Sequence, residues 1–374
     1  MTDADAPSSP RTPLLRRLVG FNLLTAVLLG IGGYFLGRWL GDQITGTSLA
    51  YVADTDQSDV ALALGYLLGV VGFLVGLGFA NYPVARMLGR PPSLPRPRTE
   101  GIGRYFGFTP DHKVVAKQYF VGVGVFFAIG GLHAMLIRLE LLRPEASIFP
   151  PDRYLEIVGL HGAMMMGTMT SAVLGPFGNF FVPLLIGARR SAFPRIEALS
   201  FWLLMAASVT FASTVLFGGF QTGWTGYAPL SEQNVVGVLA YVFFFALVGL
   251  SMLLLGFNLA ATVITMRAPG MSWGRLPIFV WGILTTAVMM VLAAPVLVVG
   301  LVLLLLDRAA QTSFYLTTAG GSSYLFENLF WFFGHPEVYL LMLPGAGILL
   351  QLLPVFTRKP LWGYRVAVAG RIGI

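Results

Sequence analysis

Residues 324–353 read YLFENLFWFFGHPEVYLLMLPGAGILLQLL, and the interpretation of the whole chain starts from this stretch. The run is apolar and longer than the roughly 20 residues that a helix needs to cross a membrane. With 3.6 residues per turn, Trp331, His335 and Tyr339 lie on one face of such a helix, and Glu337 points elsewhere. The motif WFFGHPEVY therefore places ionisable and redox-capable side chains where a membrane helix ordinarily carries none.

Polar side chains at bilayer depth are costly unless they are paired or used, so we interpret the motif as a functional site. A buried, hydrogen-bonded structural cluster is the alternative interpretation. Imidazole and phenol groups beside a backbone loosened by Pro336 suit a metal and electron or proton chemistry. Glu337, in apolar surroundings, is a candidate for passing protons on.

Composition indicates a polytopic membrane protein. The chain has 374 residues, of which 56% are hydrophobic and 11% charged, and its mean hydropathy is +0.76. The net charge of +7 comes from Lys and Arg in the loops between apolar segments, so it favours orientation in a bilayer over binding to nucleic acid. The absence of cysteine excludes disulfides, thiolate metal sites and iron–sulfur clusters.

Eight apolar stretches are long enough to span a membrane, which predicts an all-α polytopic helical bundle. The predicted spans are 18–40, 61–82, 118–138, 156–187, 199–218, 235–265, 277–306 and 324–353. Lys and Arg are concentrated in alternate loops, whereas most of the other loops are acidic or uncharged. This bias predicts a multi-pass protein of the cell membrane with its amino terminus in the cytoplasm.

The chain divides into four predicted regions. Residues 1–17 are a polar, disordered cytoplasmic tail, 18–84 a two-helix membrane hairpin, 85–107 a basic, Pro-rich cytoplasmic linker, and 108–374 the core. One set of glycines in the second span predicts close packing of the two hairpin helices. These glycines are Gly65, Gly69, Gly72, Gly76 and Gly78.

Two intramembrane imidazoles at comparable depth predict two redox centres in one layer. His161 opens the span 156–187, and Gly162 and Gly167 remove side-chain bulk near it. An axial imidazole with shallow, uncharged surroundings suits a flat macrocycle. A lone intramembrane His is more often structural, but His335 on a second helix favours a ligand role for both.

Three further side chains have a structural and a functional interpretation. His133 is predicted to be a packing residue, with a ligand role as the less favoured alternative. His112 is predicted to lie at the membrane surface. Arg138 either snorkels to the interface or donates hydrogen bonds to a buried anion or carbonyl.

The motif at 331–339 resembles the sixth-helix signature of subunit I of the haem–copper oxidases, the cytochrome c and quinol oxidases of aerobic respiration. Other segments resemble that family in the same order along the chain, so that the resemblance covers roughly 108–368. These segments are 111–113, 160–162, 178–188, 192–195, 223–231, 266–271 and 357–364. The resemblance implies the first six helices of the subunit I fold, preceded by two extra helices.

The resemblance also implies a role for each candidate residue. The cofactor and metal ligands would be His161 for the low-spin haem iron and His335 for copper, as one of three ligands. Tyr339, covalently tied to the copper ligand in family members, and the proton-relay residue Glu337 would be catalytic. The other cofactor-binding residues would be Arg138 at a haem substituent, Trp224 near haem propionates, and Trp331.

The implied reaction is the reduction of dioxygen to water coupled to proton translocation. It implies low-spin and high-spin haem and copper as cofactors. The implied partners are subunits of the II and III type, cytochrome c or quinol as electron donor, dioxygen and the lipid bilayer. The family subunit has about twelve helices, so we expect the chain to be incomplete and inactive alone, as a fragment, frameshift product or split subunit.

Two substitutions place the proton entrance in question, since Arg190 stands where many family members carry an aspartate and Glu197 replaces an asparagine. Two other classes remain as alternatives to an oxidase component. One is a truncated, non-catalytic membrane module. The other is a proton-coupled transporter that uses Glu337 and His335 as its relay.

Overall fold

The computed structural model describes residues 23–46, 59–89, 101–144, 148–217, 219–232 and 237–374. The predicted tail 1–17, the start of the first predicted span and residues 90–100 of the predicted linker lie outside these ranges. Every regular element within them is helical, which confirms the all-α prediction. We number the α-helices in chain order.

The long helices are α1 Leu23–Thr45, α2 Asp59–Gly76, α4 His112–Glu140, α5 Pro151–Val173, α7 Pro194–Ala212, α9 Gly237–Thr265, α10 Ile278–Ala310 and α11 Ser323–Thr357. The short ones are α3 Asn81–Met87, α6 Asn179–Leu185, α8 Thr214–Phe217 and α12 Tyr364–Ile372. Among the described residues, seven helices are long and apolar enough to cross a membrane, or eight if α5 and α6 form one bent span. The predicted eight spans agree with this set.

Local sequence explains where several helices begin. Pro151 and Pro194 occupy the first helical positions of α5 and α7, where a missing backbone N–H has no consequence. Asp111 caps α4 by accepting a hydrogen bond of 2.9 Å from the backbone N–H of Lys113. Pro336 and two later prolines lie inside α11 without ending it, as membrane helices tolerate.

Helices α5 and α6 meet at a π-helical turn, Leu174–Gly178, and the axis of this broken span bends by 48° between the segments Pro151–Thr168 and Ser171–Leu185. Pro176 lies in this turn and removes one backbone donor from the helical ladder. A Cβ added to Gly175 would overlap the ring of Tyr119 from α4. The lack of a side chain at Gly175 therefore lets the Tyr119 side chain lie against the π-helical turn.

Successive core helices run antiparallel, and their glycines mark the crossings. Gly282 of α10 approaches Leu343 of α11, and Gly256 of α9 approaches Ala287 of α10. Helices α1, α4, α7 and α10 therefore begin at one end of the bundle, which carries Lys113, Arg195, Arg275 and Arg358. We call this the basic end; α2, α5, α9 and α11 begin at the opposite end.

The glycines of the hairpin bring α1 and α2 into backbone contact. A Cβ at Gly37 would overlap the carbonyl of Leu64, and one at Gly72 would overlap the carbonyl of Leu29. Gly65 and Gly76 are similarly hemmed in by the facing helix. Small residues at such crossings let membrane helices gain dispersion contacts along their length. The predicted close packing is confirmed for these positions, whereas Gly78 adopts a positive φ of 92° in the turn after α2.

The hairpin contacts the core along α2. The ring of Tyr66 lies 5.4 Å from that of Phe243 on α9, and the ring of Phe73 lies 5.9 Å from that of Trp202 on α7. At the opposite end, Asp59 pairs with Arg308 of α10 at 3.1 Å. Aromatic contacts and one ion pair thus attach the two extra helices to the core.

A group of carboxylates surrounds this ion pair. Asp307 accepts hydrogen bonds of 2.8 Å from the backbone N–H groups of Phe314 and Tyr315, so both of its carboxyl oxygens have partners. Glu232 is different, because one of its carboxyl oxygens is buried with no hydrogen-bond partner among the described residues. Burial, reinforced by the nearby Asp307 and opposed by Arg308, raises the pKa of Glu232 to about 7.

The first prediction concerns the hairpin. Gly37→Leu should destabilise the protein by about 1–3 kcal/mol, because the new side chain has no room beside the carbonyl of Leu64. Gly32→Leu is the matched control, since a Cβ there meets nothing within 4 Å. Thermal unfolding in detergent compares the two variants. Equal losses would show that α1 and α2 are not in backbone contact.

The second prediction concerns Glu232. Its pKa is about 7 in the folded protein against a reference value of 4.5, so the folded state binds a proton more tightly than the unfolded state. The contribution to stability is therefore present below pH 4.5 and is lost as the pH rises through about 7. Glu232→Gln should flatten the pH dependence of unfolding across this window, whereas Asp152→Asn at an exposed site should leave it unchanged. Parallel pH profiles for wild type and Glu232→Gln would contradict this.

Candidate functional site

Helix α11 presents two chemically different faces. Trp331 is 40% exposed, His335 is exposed and Tyr339 is half-buried, as their spacing predicted. The rings of His335 and Tyr339 lie one turn apart with centroids 5.0 Å apart. Phe333 and Glu337 are buried on the other side of the helix. The imidazole and the phenol are therefore available on a surface that the described residues leave open.

Glu337 is a carboxyl group without a partner. It is only 2% exposed, and neither carboxyl oxygen has a hydrogen-bond partner among the described residues. The buried hydroxyl of Tyr241 on α9 is likewise unpartnered in the described part of the chain. A carboxyl group in this setting is unfavourable for folding, which indicates a use for Glu337 beyond stability.

An aromatic cluster joins the face of α11 to the loop before α9. The indole N–H of Trp331 donates a hydrogen bond to the hydroxyl of Tyr227. The ring of Trp331 lies 5.8 Å from that of Trp224, at an interplanar angle of 87°. The structure therefore brings together Trp224 and Trp331, two of the predicted cofactor-binding residues.

His161 is held in a defined orientation on α5. Its Nδ1 lies 2.9 Å from the carbonyl oxygen of Gly130 on α4 and donates the hydrogen bond. This bond fixes the tautomer and leaves the lone pair on Nε2, which is the arrangement that metal-ligating histidines use. Helix α5 contacts α11, and Trp224 touches both helices. A Cβ on Gly162 of α5 would come within 2.9 Å of the Trp224 Cβ, and the Trp224 ring packs on Trp331 of α11.

This contact corrects the predicted role of two glycines. Gly162 and Gly167 were expected to clear space for a macrocycle beside His161. Gly162 instead faces Trp224, and a Cβ on Gly167 would meet the ring of Phe244 at 2.5 Å. Both glycines serve the packing of α5 against its neighbours.

The remaining histidines have backbone partners. His133 is 9% exposed, and its Nδ1 donates to the carbonyl of Ile129 in its own helix at 2.8 Å, as in the predicted packing role. His112 is buried, and its Nδ1 donates to the carbonyl of Asn179 at 2.8 Å. His112 therefore closes the contact between α4 and α6 at the first residue of α4, and its location at the membrane surface stays a prediction. Arg138 is exposed in the last turn of α4.

A run of buried polar groups leads inward from the basic end, and its length was not predicted. Glu197 of α7 is fully buried and accepts a hydrogen bond from Ser191. Deeper in the bundle, the hydroxyls of Tyr119 and Ser200 lie 2.8 Å apart, and Ser251 donates to the carbonyl of Ser200 at 2.6 Å. The sequence feature that could have predicted this run is the occurrence of hydroxyl and carboxyl side chains inside apolar spans.

The residues present fit one axial haem ligand and one copper ligand. His161 has a fixed tautomer with Nε2 available, and the imidazole of His335 is exposed beside a phenol. Among the described residues no three His, Cys, Asp or Glu side chains are grouped so as to hold a metal ion. A metal at His335 therefore needs ligands from beyond these residues.

These features define the chain as an integral membrane helical protein with imidazoles on two neighbouring helices. A family model described as cytochrome C and quinol oxidase polypeptide I matches residues 114–374. The match covers more than half of the chain, and the chain belongs to this family of oxidase subunits.

Several curated relatives are similar to this chain. Cytochrome c oxidase subunit 1 of Thermostichus vulcanus is 41% identical over 290 residues, which cover 77% of this chain and 52% of the relative. Cytochrome c oxidase subunit 1 of Bacillus subtilis is 42% identical over 258 residues, or 68% of this chain and 42% of the relative. Cytochrome c oxidase subunit 1 of Synechocystis is 36% identical over 271 residues, which cover 72% of this chain and 49% of the relative. The chain thus spans about half the length of the curated relatives that it matches.

The third prediction tests the contact beside His161. Gly162→Ala should destabilise the protein by about 1–3 kcal/mol, because the added Cβ displaces Trp224 and with it the partner of Trp331. Gly131→Ala on α4 is the control, since nothing lies within 4 Å of a Cβ there. Thermal unfolding with tryptophan fluorescence reports both stability and the Trp224 environment. An unchanged Gly162→Ala protein would show that Trp224 does not rest on α5.

Proposed function

We propose that this chain forms part of subunit I of a haem–copper terminal oxidase, which reduces dioxygen to water and translocates protons. The observation that carries the proposal is the paired His335 and Tyr339 on the open face of α11, above a buried, partnerless Glu337. The imidazole of His335 supplies a metal ligand, and the phenol of Tyr339 can donate a proton and an electron. The carboxyl group of Glu337 can carry protons. A structural cluster would instead have its polar groups hydrogen-bonded to one another.

His161 would hold the low-spin haem iron through Nε2, with Gly130 maintaining the imidazole orientation from the other side of the ring. His335 would hold copper, and Tyr339 would donate toward the same region from one turn away. Haem iron and copper, when bound, supply the one-electron chemistry that dioxygen reduction requires. Trp224, Trp331 and Arg138 would contact the haem periphery. The four histidines of the chain cannot supply every ligand, so other polypeptide has to supply the remainder.

Protons for the reaction would enter from the basic end. Glu197 is a buried carboxyl group close to that surface, and the hydroxyl groups of Ser200 and Tyr119 continue inward from it. In this proposal Glu197 performs the uptake role for which Arg190 is unsuited, because a guanidinium group does not release protons. Ordered water would connect this run to Glu337, which delivers protons toward the face of α11.

The proposed partners follow from the same assignment. Subunits of the II and III type would complete the complex, and cytochrome c or quinol would deliver the electrons. The excess of Lys and Arg at the basic end supports a cytoplasmic position for that end and for the amino terminus.

The fourth prediction tests the assignment with two imidazoles of neighbouring helices. In the complex assembled with its partners, His161→Leu should lower low-spin haem absorption by more than about tenfold. Mutating even a hydrogen-bond partner of a metal ligand typically lowers metal affinity at least tenfold, and His161 would be the ligand itself. His133→Leu should keep the haem, because His133 bonds only to its own helix. Optical spectra and metal analysis of the purified complexes make the comparison. A full haem complement in His161→Leu, or its loss in His133→Leu alone, would contradict the proposal.

A further inference from the structure

A large cavity separates the hairpin from the core. Its volume is about 1550 Å³, and it lies between α1, α2, α4, α7, α6 and the π-helical turn that joins α5 to α6. Pockets for small molecules are typically about 300–1,000 Å³, so this space exceeds what such a ligand would fill. Helices α1 and α2 are tightly packed on each other, yet only part of the hairpin surface reaches the core.

Aromatic and aliphatic side chains form nearly all of the cavity wall. Among the aromatic ones are Tyr34, Phe73, Phe177, Phe181, Phe201 and Trp202. Along α1 the wall extends from Leu23 to Arg38, which is about 22 Å at 1.5 Å per residue. One leaflet contributes about half of the 30 Å hydrocarbon thickness, so an acyl chain fits within this length.

One cation is buried at the wall of this apolar space. Arg38 is 6% exposed, and the Nε of its guanidinium is buried with no hydrogen-bond partner among the residues that the structure describes. It lies seven residues before Thr45, at the end of the helix, or about 10 Å from that end. Asp42, on the next turn of α1, does not line the cavity. A buried guanidinium nitrogen without a hydrogen-bond partner is unfavourable, so an anion placed beside Arg38 would stabilise it.

We propose that the cavity binds one anionic phospholipid, with its phosphate on Arg38 and its acyl chains between the hairpin and α7. The planar guanidinium matches phosphate oxygens as a two-pronged donor, and the pairing satisfies the buried charge. The acyl chains cover the aromatic wall. An isoprenoid quinone would fill the same apolar volume, but it brings no negative charge to Arg38. The lipid thereby completes the contact between the accessory hairpin and the core.

The lipid site does not depend on the proposed oxidase function, and its test uses lipid retention alone. The full chain, with its native partners, is exchanged into vesicles of phosphatidylglycerol and phosphatidylcholine, extracted in detergent and washed. Native mass spectrometry then counts the phospholipids retained. We expect one tightly held phosphatidylglycerol per chain, and about tenfold weaker retention in Arg38→Gln.

Two further variants separate the site from general lipid binding. Lys117 lines the same cavity but is exposed, so Lys117→Gln should retain the lipid like wild type. Val209 also lines the cavity, and Val209→Trp should displace the lipid while leaving Arg38 in place. Unchanged retention in Arg38→Gln and Val209→Trp would overturn the proposal. The proposal would also be overturned if a quinone were recovered in place of the phospholipid, or if a partner subunit were found to fill the cavity.

Discussion

Hydrocarbon offers no hydrogen-bond partner, and this constraint governs how the chain arranges its polar groups. Backbone groups are satisfied inside helices, which explains why the described elements are helical throughout. Side chains have to find partners of their own, and most of them do: His133 bonds to Ile129, His161 to Gly130 and Tyr119 to Ser200. The exceptions are therefore informative.

Glu337 and Arg38 are the two most informative exceptions. Each is buried, and each has a side-chain polar atom with no hydrogen-bond partner among the described residues. They differ in their surroundings, since Glu337 lies inside the core near Tyr241, whereas Arg38 borders a large apolar cavity. The first arrangement suits a group that takes up and releases protons, and the second suits a group that holds an anion.

Glycines determine how closely the helices approach, and thereby where the functional groups lie. Gly162 allows Trp224 to rest on α5, and Trp224 in turn contacts Trp331 on α11. His161 and the His335 face are connected in this way through a third segment of the chain. The same device makes the hairpin a rigid pair of helices, because Gly37 and Gly72 each touch the opposing backbone.

The sequence by itself determined the helical class, the number of spans and the face shared by Trp331, His335 and Tyr339. These are local properties, since hydropathy over about 20 residues and a spacing of four need no knowledge of neighbouring helices. Only the tertiary structure decided that Gly162 faces Trp224, that His112 is buried against Asn179, and that Arg38 borders a cavity. These features join residues far apart in the chain, and their geometry follows from how the helices cross.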